Sequence, residues 1–498
     1  MLDLTPWQTC YFLGAQLGLF TLVVIIYRRY VSHLRDIPGP FFASFTRLWH
    51  AWQLLKGDMP LQLIRLHEKH GPFVRISHDE ISVSHPQAVQ QILVTPLRKH
   101  SPEAPWYGIA AAPDRRFQTP MSTLDPAAKR ERSRHVASAY FLSNILRSEE
   151  EMNHLFDKFM RWMDKFAAER KPTHLDEFFS YFSYDLIGEM HFSQEFGYLE
   201  TGTDINKSIA TFSVFSAYSA VAGYFIQLYR LTVANPLISS LGILPLGYLH
   251  NNIVQSLDKR RNKIASRFDM VAHWFKEHEK NPDDFTMRDL YAVTINSILG
   301  GSDTTANAMQ SFTYHVIRHP TAYQRIRDEI DEAQAQGRCQ DVIVSFEDAK
   351  KLPYLTACVK EALRVFSPLT VSMGRVAGEQ GVPINGRVFP SGTILSIHPW
   401  VEHFSNETWG EDVKEFNPDR WLGPETSAIE KHLIPFGMGY NSCPGQHLAK
   451  IAINKMAATL VRDYDIRLVD KTKAWKWRAG LTGAQHSWPV YIERRQPR

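Results

Sequence analysis

The sequence predicts a mainly α-helical protein with small β-sheets, built as one large folded domain behind an N-terminal transmembrane helix. Three observations carry this. Apolar residues recur with the helical period through most of the chain. Alternating, β-branched segments are few and short, as at Phe73–Ser77 and Glu80–Ser84. From Trp7 to Tyr27 there is no charged side chain, and Arg28 and Arg29 come directly after. With 498 residues and 44% hydrophobic content the chain can bury a large core, and no break in composition divides it.

The apolar run is long enough to cross a bilayer as a helix of about 20 residues, and its basic flank places the remainder of the chain on the cytoplasmic side. A cleaved signal peptide would carry its basic residues before the apolar run and a small-residue cleavage site after it, the reverse of the order here. Residues 1–30 are therefore expected to be an uncleaved anchor. Residues 31–60, with the punctuated stretch His33–Pro40, are expected to form a hinge and the start of the body, and residues 61–498 the main domain.

Phe73–Ser77 and Glu80–Ser84 read as a hairpin around His78 and Asp79. His85–Val94, Asp125–Arg147, Glu150–Ala168 and Leu175–Met190 support amphipathic helices, with a proline-rich loop between Pro102 and Pro120. Between Thr211 and His250 only Arg230 is charged, which fits a buried helix pair or a surface that dips into lipid. Met287–Arg318 is the clearest helix, stopped by Pro320. Pro368–Arg375 reads as extended, Ile384–Ile397 as containing a hairpin around Asn385-Gly386, and Tyr464–Leu468 and Trp488–Ile492 as closing strands.

A net charge of +4, without a Lys/Arg block interleaved with aromatics, gives no support for nucleic-acid binding. Four cysteines, Cys10, Cys339, Cys358 and Cys443, form neither a disulfide framework nor a zinc-finger spacing. Cys443 stands apart. It lies in Pro435–Lys450, where Gly437, Gly439 and Gly445 permit sharp turns or close approach to something flat. A thiolate there would sit near a helix N-terminus, whose amides and dipole favour ionised sulfur and suit it to be a metal ligand. In the long helix, Gly300-Gly301-Ser302-Asp303-Thr304-Thr305 costs about 1 kcal/mol per glycine and places a carboxylate beside hydroxyls in a buried stretch. Such a distorted, acid-bearing helix gives room and a proton route for oxygen activation.

The spacing Phe436-x-x-Gly439-x-Asn441-x-Cys443-x-Gly445 resembles the cysteine-ligand loop of the cytochromes P-450, the haem-thiolate monooxygenases. Asp303-Thr304 is similar to that family's acid–alcohol pair, Glu361-x-x-Arg364 to its Glu-x-x-Arg helix, and Phe416–Arg420 to the segment whose arginine completes the same ion network. The four motifs occur in the family's order, and the loop wording is similar to filamentous-fungal members. The resemblance implies a cytochrome P-450 fold with a single catalytic domain and heme b held by Cys443 as axial iron ligand. It gives Phe436, Gly437, Asn441, Gly445, Arg375 and Arg134 as cofactor contacts, Asp303 and Thr304 as catalytic, and Glu361, Arg364 and Arg420 as structural. Trp106, Tyr107, Ile109, Thr370, Val371 and Met373 are expected to line the substrate pocket. The family usually has arginine where this chain has Asn441; a tryptophan expected four residues before Arg134 is replaced by Arg130.

No GxGxxG or P-loop occurs, so electrons must come from another protein. The resemblance implies NADPH-cytochrome P-450 reductase on the same endoplasmic-reticulum membrane, and a lipophilic small-molecule substrate from fungal secondary metabolism that gains one atom of O2. The alternative is a thiolate-haem isomerase or dehydratase, or an oxidative coupling enzyme, without net hydroxylation.

Overall fold

The computed structural model describes residues 5–99, 106–111, 116–241, 247–261 and 267–496. Helix α1 (Pro6–Ile26) opens where Thr5 and Gln8 exchange capping hydrogen bonds and Pro6 pre-sets the first turn. None of its residues is buried. With the wide turn Tyr27–Val31 it makes a 26-residue apolar span of mean hydropathy 2.0, which is long enough to cross a hydrocarbon core of about 30 Å.

The span does not swing freely from the body. Strand β1 (Phe73–Arg75) ends on an arginine that is 1% exposed and donates to the carbonyls of Leu34 at 3.2 Å, Arg28 at 2.9 Å and His78 at 2.8 Å. Its own amide donates to Pro38 O at 2.8 Å. Gly39 lies so close that a Cβ there would be 2.3 Å from Arg75 O, so the proline-flanked glycine is what lets the hinge lie on the strand.

Strand β1 pairs antiparallel with β2 (Glu80–Val83), as the alternation predicts. Helix α2 (Leu48–Lys56) precedes them and packs beside a later apolar helix. Helix α3 (Pro126–Val136) is capped by Asp125, whose carboxylate accepts from the amides of Ala127 and Ala128. The single helix expected over 125–147 breaks after it into a tight turn and an extended Phe141. There Asn144 Nδ2 donates to Ser138 O at 2.8 Å, a side chain replacing a helical bond. Helices α4 (Glu149–Glu169) and α5 (Leu175–Phe192) match their predicted ranges within two residues and lock through Phe156–Phe182 and Phe159–Phe179 ring contacts.

Helix α6 (Ser208–Ala222) buries Phe212 and Phe215 but leaves Val214 71% exposed; beyond it Leu228, Leu231, Leu237 and Leu241 also face outward. The apolar stretch 211–250 thus supplies both core and an exposed apolar surface. Helix α6 itself packs beside α2, on which Leu48, Trp52 and Leu55 are exposed.

Helix α7 (Met287–Arg318) runs 32 residues from a Thr286–Asp289 capping box. It is packed on α5 and on two further helices, α8 (Pro353–Val365) and α9 (Gln446–Asp463). Ser183 Oγ donates to Ser302 O at 2.5 Å and Ser311 Oγ to Ala362 O at 2.8 Å, so hydroxyls fix its register against both sides. His319 ends it in an extended conformation, and Pro320 begins the next helix.

Strand β3 (Met373–Val376) is followed by the hairpin β4 (Val382–Ile384) and β5 (Arg387–Phe389), turned through Asn385 and Gly386 at φ 50° and 71°. Strand β6 (Ile394–Ile397) lies between β2 and β3 in a mixed sheet of order β1-β2-β6-β3. Strands β7 (Tyr464–Leu468) and β10 (Val490–Arg494) close the fold as an antiparallel pair. Between them β8 (Lys476–Ala479) and β9 (Gly483–His486) form a hairpin that the sequence pattern does not signal.

Candidate active site

The loop before α9 is built around its cysteine. Cys443 N donates to Phe436 O at 2.7 Å, closing the loop on itself. Gly437 and Gly439 both have φ near +65°, where a side chain is strained, and a Cβ on Gly439 would stand 2.5 Å from Leu93 O. Burial pushes the Cys443 thiol up, opposed by hydrogen bonds from the amides of Gly445 and Gln446 and by the Lys450 charge. The sulfur is thus aimed at the start of α9, where a metal ion would complete its ionisation. Phe436 packs against the core, with the Lys450 ammonium 5.5 Å from its ring centre.

On α7, Gly300 and Thr304, four residues apart and so on one face, both border open space. Gly301 faces the other way, against Ile187. Thr304 Oγ1 donates to Gly300 O at 2.8 Å, which leaves its oxygen free to accept. Asp303 is enclosed by protein but keeps a little accessible surface. Tyr184 OH donates to its Oδ1 at 3.0 Å, Thr482 gives a second hydroxyl contact, and burial, the dominant cause, pushes its carboxyl up to about 6. No bond between Asp303 and Thr304 is found among the described residues; neighbours along a helix point apart.

Behind this lies the ion network. Glu361 and Arg364 are 0% exposed and joined by two hydrogen bonds of 2.9 and 2.8 Å. Arg420 Nε, Trp421 Nε1 and Asn417 N also donate to the Glu361 carboxylate, at 3.1, 2.9 and 3.0 Å. Arg364 spends its remaining donors on the carbonyls of His403, Val413 and Glu415. Every donor and acceptor of this pair has a partner.

Beside the cysteine loop the opposite holds. Arg375, 2% exposed, donates from Nη1 to Tyr107 OH at 2.9 Å and to Gly374 O at 2.8 Å, while its buried Nε has no partner. Lys99 Nζ, also buried, reaches Pro120 O and Met121 O at 2.9 and 2.8 Å. Lys129 of α3 reaches Asn441 Oδ1 at 2.7 Å and Tyr440 O. Among the described residues none of these three cations has a carboxylate partner. Burial, and then repulsion from Lys129 and Arg375, push the Lys99 ammonium down to about 6; burial and then Arg375 push Lys129 down to about 8.

Several expected site residues have other neighbours. Arg134 is 62% exposed and paired with Glu131, away from the loop. It lies five residues beyond Lys129, which at about 100° per residue puts the two on different faces of α3. Tyr107 stands against Arg375, the Thr370 hydroxyl is spent on Gly480 O at 3.1 Å, and Met373 Sδ lies under the cysteine loop near Gly437. Trp106, Ile109 and Val371 share one buried apolar cluster, with Trp106 Nε1 donating to Ala220 O at 3.2 Å. Lys99 and Lys129 were missed because a lysine in sequence carries no sign of being buried without an acid.

These features fit an iron porphyrin: a sulfur at a helix start, an open glycine at Gly300 on the α7 face, and cations with spare N–H groups for two carboxylates. The buried, unpartnered Asn441 Nδ2 and Arg375 Nε are the most specific signs.

The family description Cytochrome P-450 matches residues 38–485. The chain is 29% identical over 473 residues to a cytochrome P-450 monooxygenase of Aspergillus flavus, covering 92% of each. It is also 29% identical over 492 residues to cytochrome P-450 monooxygenase hepC of Aspergillus oryzae, covering 94% of each. A crystal structure of a cytochrome P-450 superposes with a TM-score of 0.71 at 17% identity, over 88% of this chain and 94% of that one. The chain belongs to the cytochrome P-450 family, and its enzyme class is that of the haem-thiolate monooxygenases.

Proposed function

We propose that the protein inserts one atom of O2 into a lipophilic small molecule of fungal secondary metabolism. Electrons originate in NADPH and arrive through a separate reductase on the endoplasmic-reticulum membrane. Residues 1–30 anchor it, 31–60 form the hinge, and 61–498 make up the catalytic domain on the cytoplasmic side. The observation that carries the reading is the pairing of a cysteine aimed at the start of α9 with the open Gly300/Thr304 face of α7 and its buried acid.

When bound, the haem supplies oxygen activation, and the donating thiolate favours O–O cleavage. Cys443 provides that thiolate. Asp303, poised near pH 6 by burial, stores a proton at its carboxyl while Tyr184 and Thr482 hold it in place. Thr304, anchored through its own proton on Gly300 O, offers its oxygen as the acceptor for a water that carries the proton between them. Trp106, Ile109 and Val371 exclude water beside apolar substrate. The exposed apolar side chains of α2 and of the segment beyond α6 support substrate entry from the bilayer.

The reduced protein under carbon monoxide is expected to show the thiolate-haem Soret band, and Cys443→Ser to lose it. Turnover under 18O2 with reductase and NADPH should label the product. An unlabelled product formed without O2 consumption would establish the isomerase or dehydratase alternative and overturn this reading. Thr304→Ala should divert electrons to hydrogen peroxide; unchanged coupling would remove Thr304 from the proton route.

A further inference from the structure

The cysteine loop carries asparagine at position 441, so the loop itself brings no cation to this side of the site. A cation is nonetheless there. The Lys129 ammonium comes from α3, 312 residues away in sequence, and is held at 2.7 Å by Asn441 Oδ1 and by Tyr440 O, with the Tyr440 ring centre 5.0 Å distant. An ammonium only donates, so the asparagine must turn its oxygen toward Lys129, and its NH2 group must point away. That Nδ2 is buried and unpartnered. An ammonium has three N–H bonds, and two are committed to Asn441 and Tyr440. Lys99 repeats the arrangement, with two protein carbonyls as acceptors and one N–H to spare. Arg375 adds a buried Nε without a partner.

Three buried basic side chains and an amide NH2, with spare N–H groups on all of them and no carboxylate partner for the three cations among the described residues, make a receptor for a dianion. We infer that Lys129, seated by Asn441, is a haem-propionate ligand of this protein and takes over from α3 the charge that the cysteine loop lacks, with Lys99 and Arg375 completing the cradle. Asn441 is then both a positioning residue for Lys129 and a neutral donor to the same carboxylate. The inference rests on the haem-thiolate reading of the site above.

The test measures haem loss to excess apomyoglobin from the full-length holoprotein, together with the midpoint potential. Loss of one charge-assisted hydrogen bond should make Lys129→Met release haem about 10- to 100-fold faster and lower the potential, because a positive charge near the iron has gone. Lys129→Arg keeps the charge and should stay near the parent in both readouts. Asn441→Arg alone sets a second cation against Lys129 and should also speed release, whereas Lys129→Met/Asn441→Arg moves the charge onto the loop and should restore retention. The double variant decides the matter if Lys129→Met does not fold. Parent-like retention and potential in Lys129→Met, or a double variant that releases haem as fast as Asn441→Arg, would overturn the inference. A parent that binds haem with the thiolate band while the variants behave alike sinks this inference alone; a parent that takes up no haem sinks the functional reading as well.

Discussion

Two of the clusters of buried charge in this domain, one around Glu361 and one beside the cysteine loop, differ in one respect. Around Glu361 and Arg364 all five guanidinium N–H groups and both carboxylate oxygens are used within the protein. Around Lys99, Lys129 and Arg375 the basic groups are also buried, but N–H groups are left over and the neighbours repel. A saturated cluster can only hold the chain together. An unsaturated one costs stability unless something outside the chain completes it, so it marks a binding site.

The sharpest way to break this contrast is at Glu361. Glu361→Ala strands Arg364 and Arg420 and should cost about 3–5 kcal/mol, seen in chemical denaturation with or without haem. A variant that keeps its stability but loses haem would assign the cluster to binding instead.

Asp303 is a third case, a buried acid held by neutral hydroxyls. Its folded pKa of about 6 lies above the ordinary carboxylate value of 3.8. Its stabilising effect is therefore complete below pH 3.8 and is lost as pH rises through 6. Relative to Asp303→Asn, the parent should lose up to about 3 kcal/mol of stability between pH 4 and 6 and stay level above that. Parallel pH profiles in the two proteins would mean that the carboxyl is not held protonated.

Arg375→Met should show the signature opposite to Glu361→Ala. Haem release quickens about 10- to 100-fold, while the haem-free protein melts no earlier than the parent, since a buried charge without an acid partner has been removed. Equal losses in both measurements would make Arg375 part of the scaffold. The smallest effect is expected at the glycine pair. Gly300→Ala meets no atom within 4 Å and should add about 0.5–1 kcal/mol to stability, whereas a Cβ at Gly301 would lie 2.9 Å from Ile187 Cδ1. A gain at Gly301 would show that Ile187 yields freely.

Sequence patterns are legible where a local rule decides. The capped 32-residue helix, the Asn-Gly hairpin and the apolar N-terminal span each announce themselves within a few neighbouring residues. They fall short where a distant contact decides. The helix after Asp125 stops because Asn144 reaches back to Ser138, and the β8–β9 hairpin is held partly by Ser216, more than 250 residues away, whose Oγ accepts from Leu481 N at 3.0 Å. The same division runs through the site. Cys443 and Asp303 stand out from neighbouring glycines, but Lys129 gains its meaning from a loop 311 residues further on, while Arg134, on another face of the same helix, is exposed and paired with Glu131.

Arg75 has a mechanical consequence. Its guanidinium grips the carbonyl of Arg28 immediately beyond the apolar helix, and its backbone is laced to the proline segment. The junction is thus a bracket rather than a leash. Rolling or tilting the apolar helix would pull directly on β1, so the angle between that helix and the sheet is written into one arginine's hydrogen bonds.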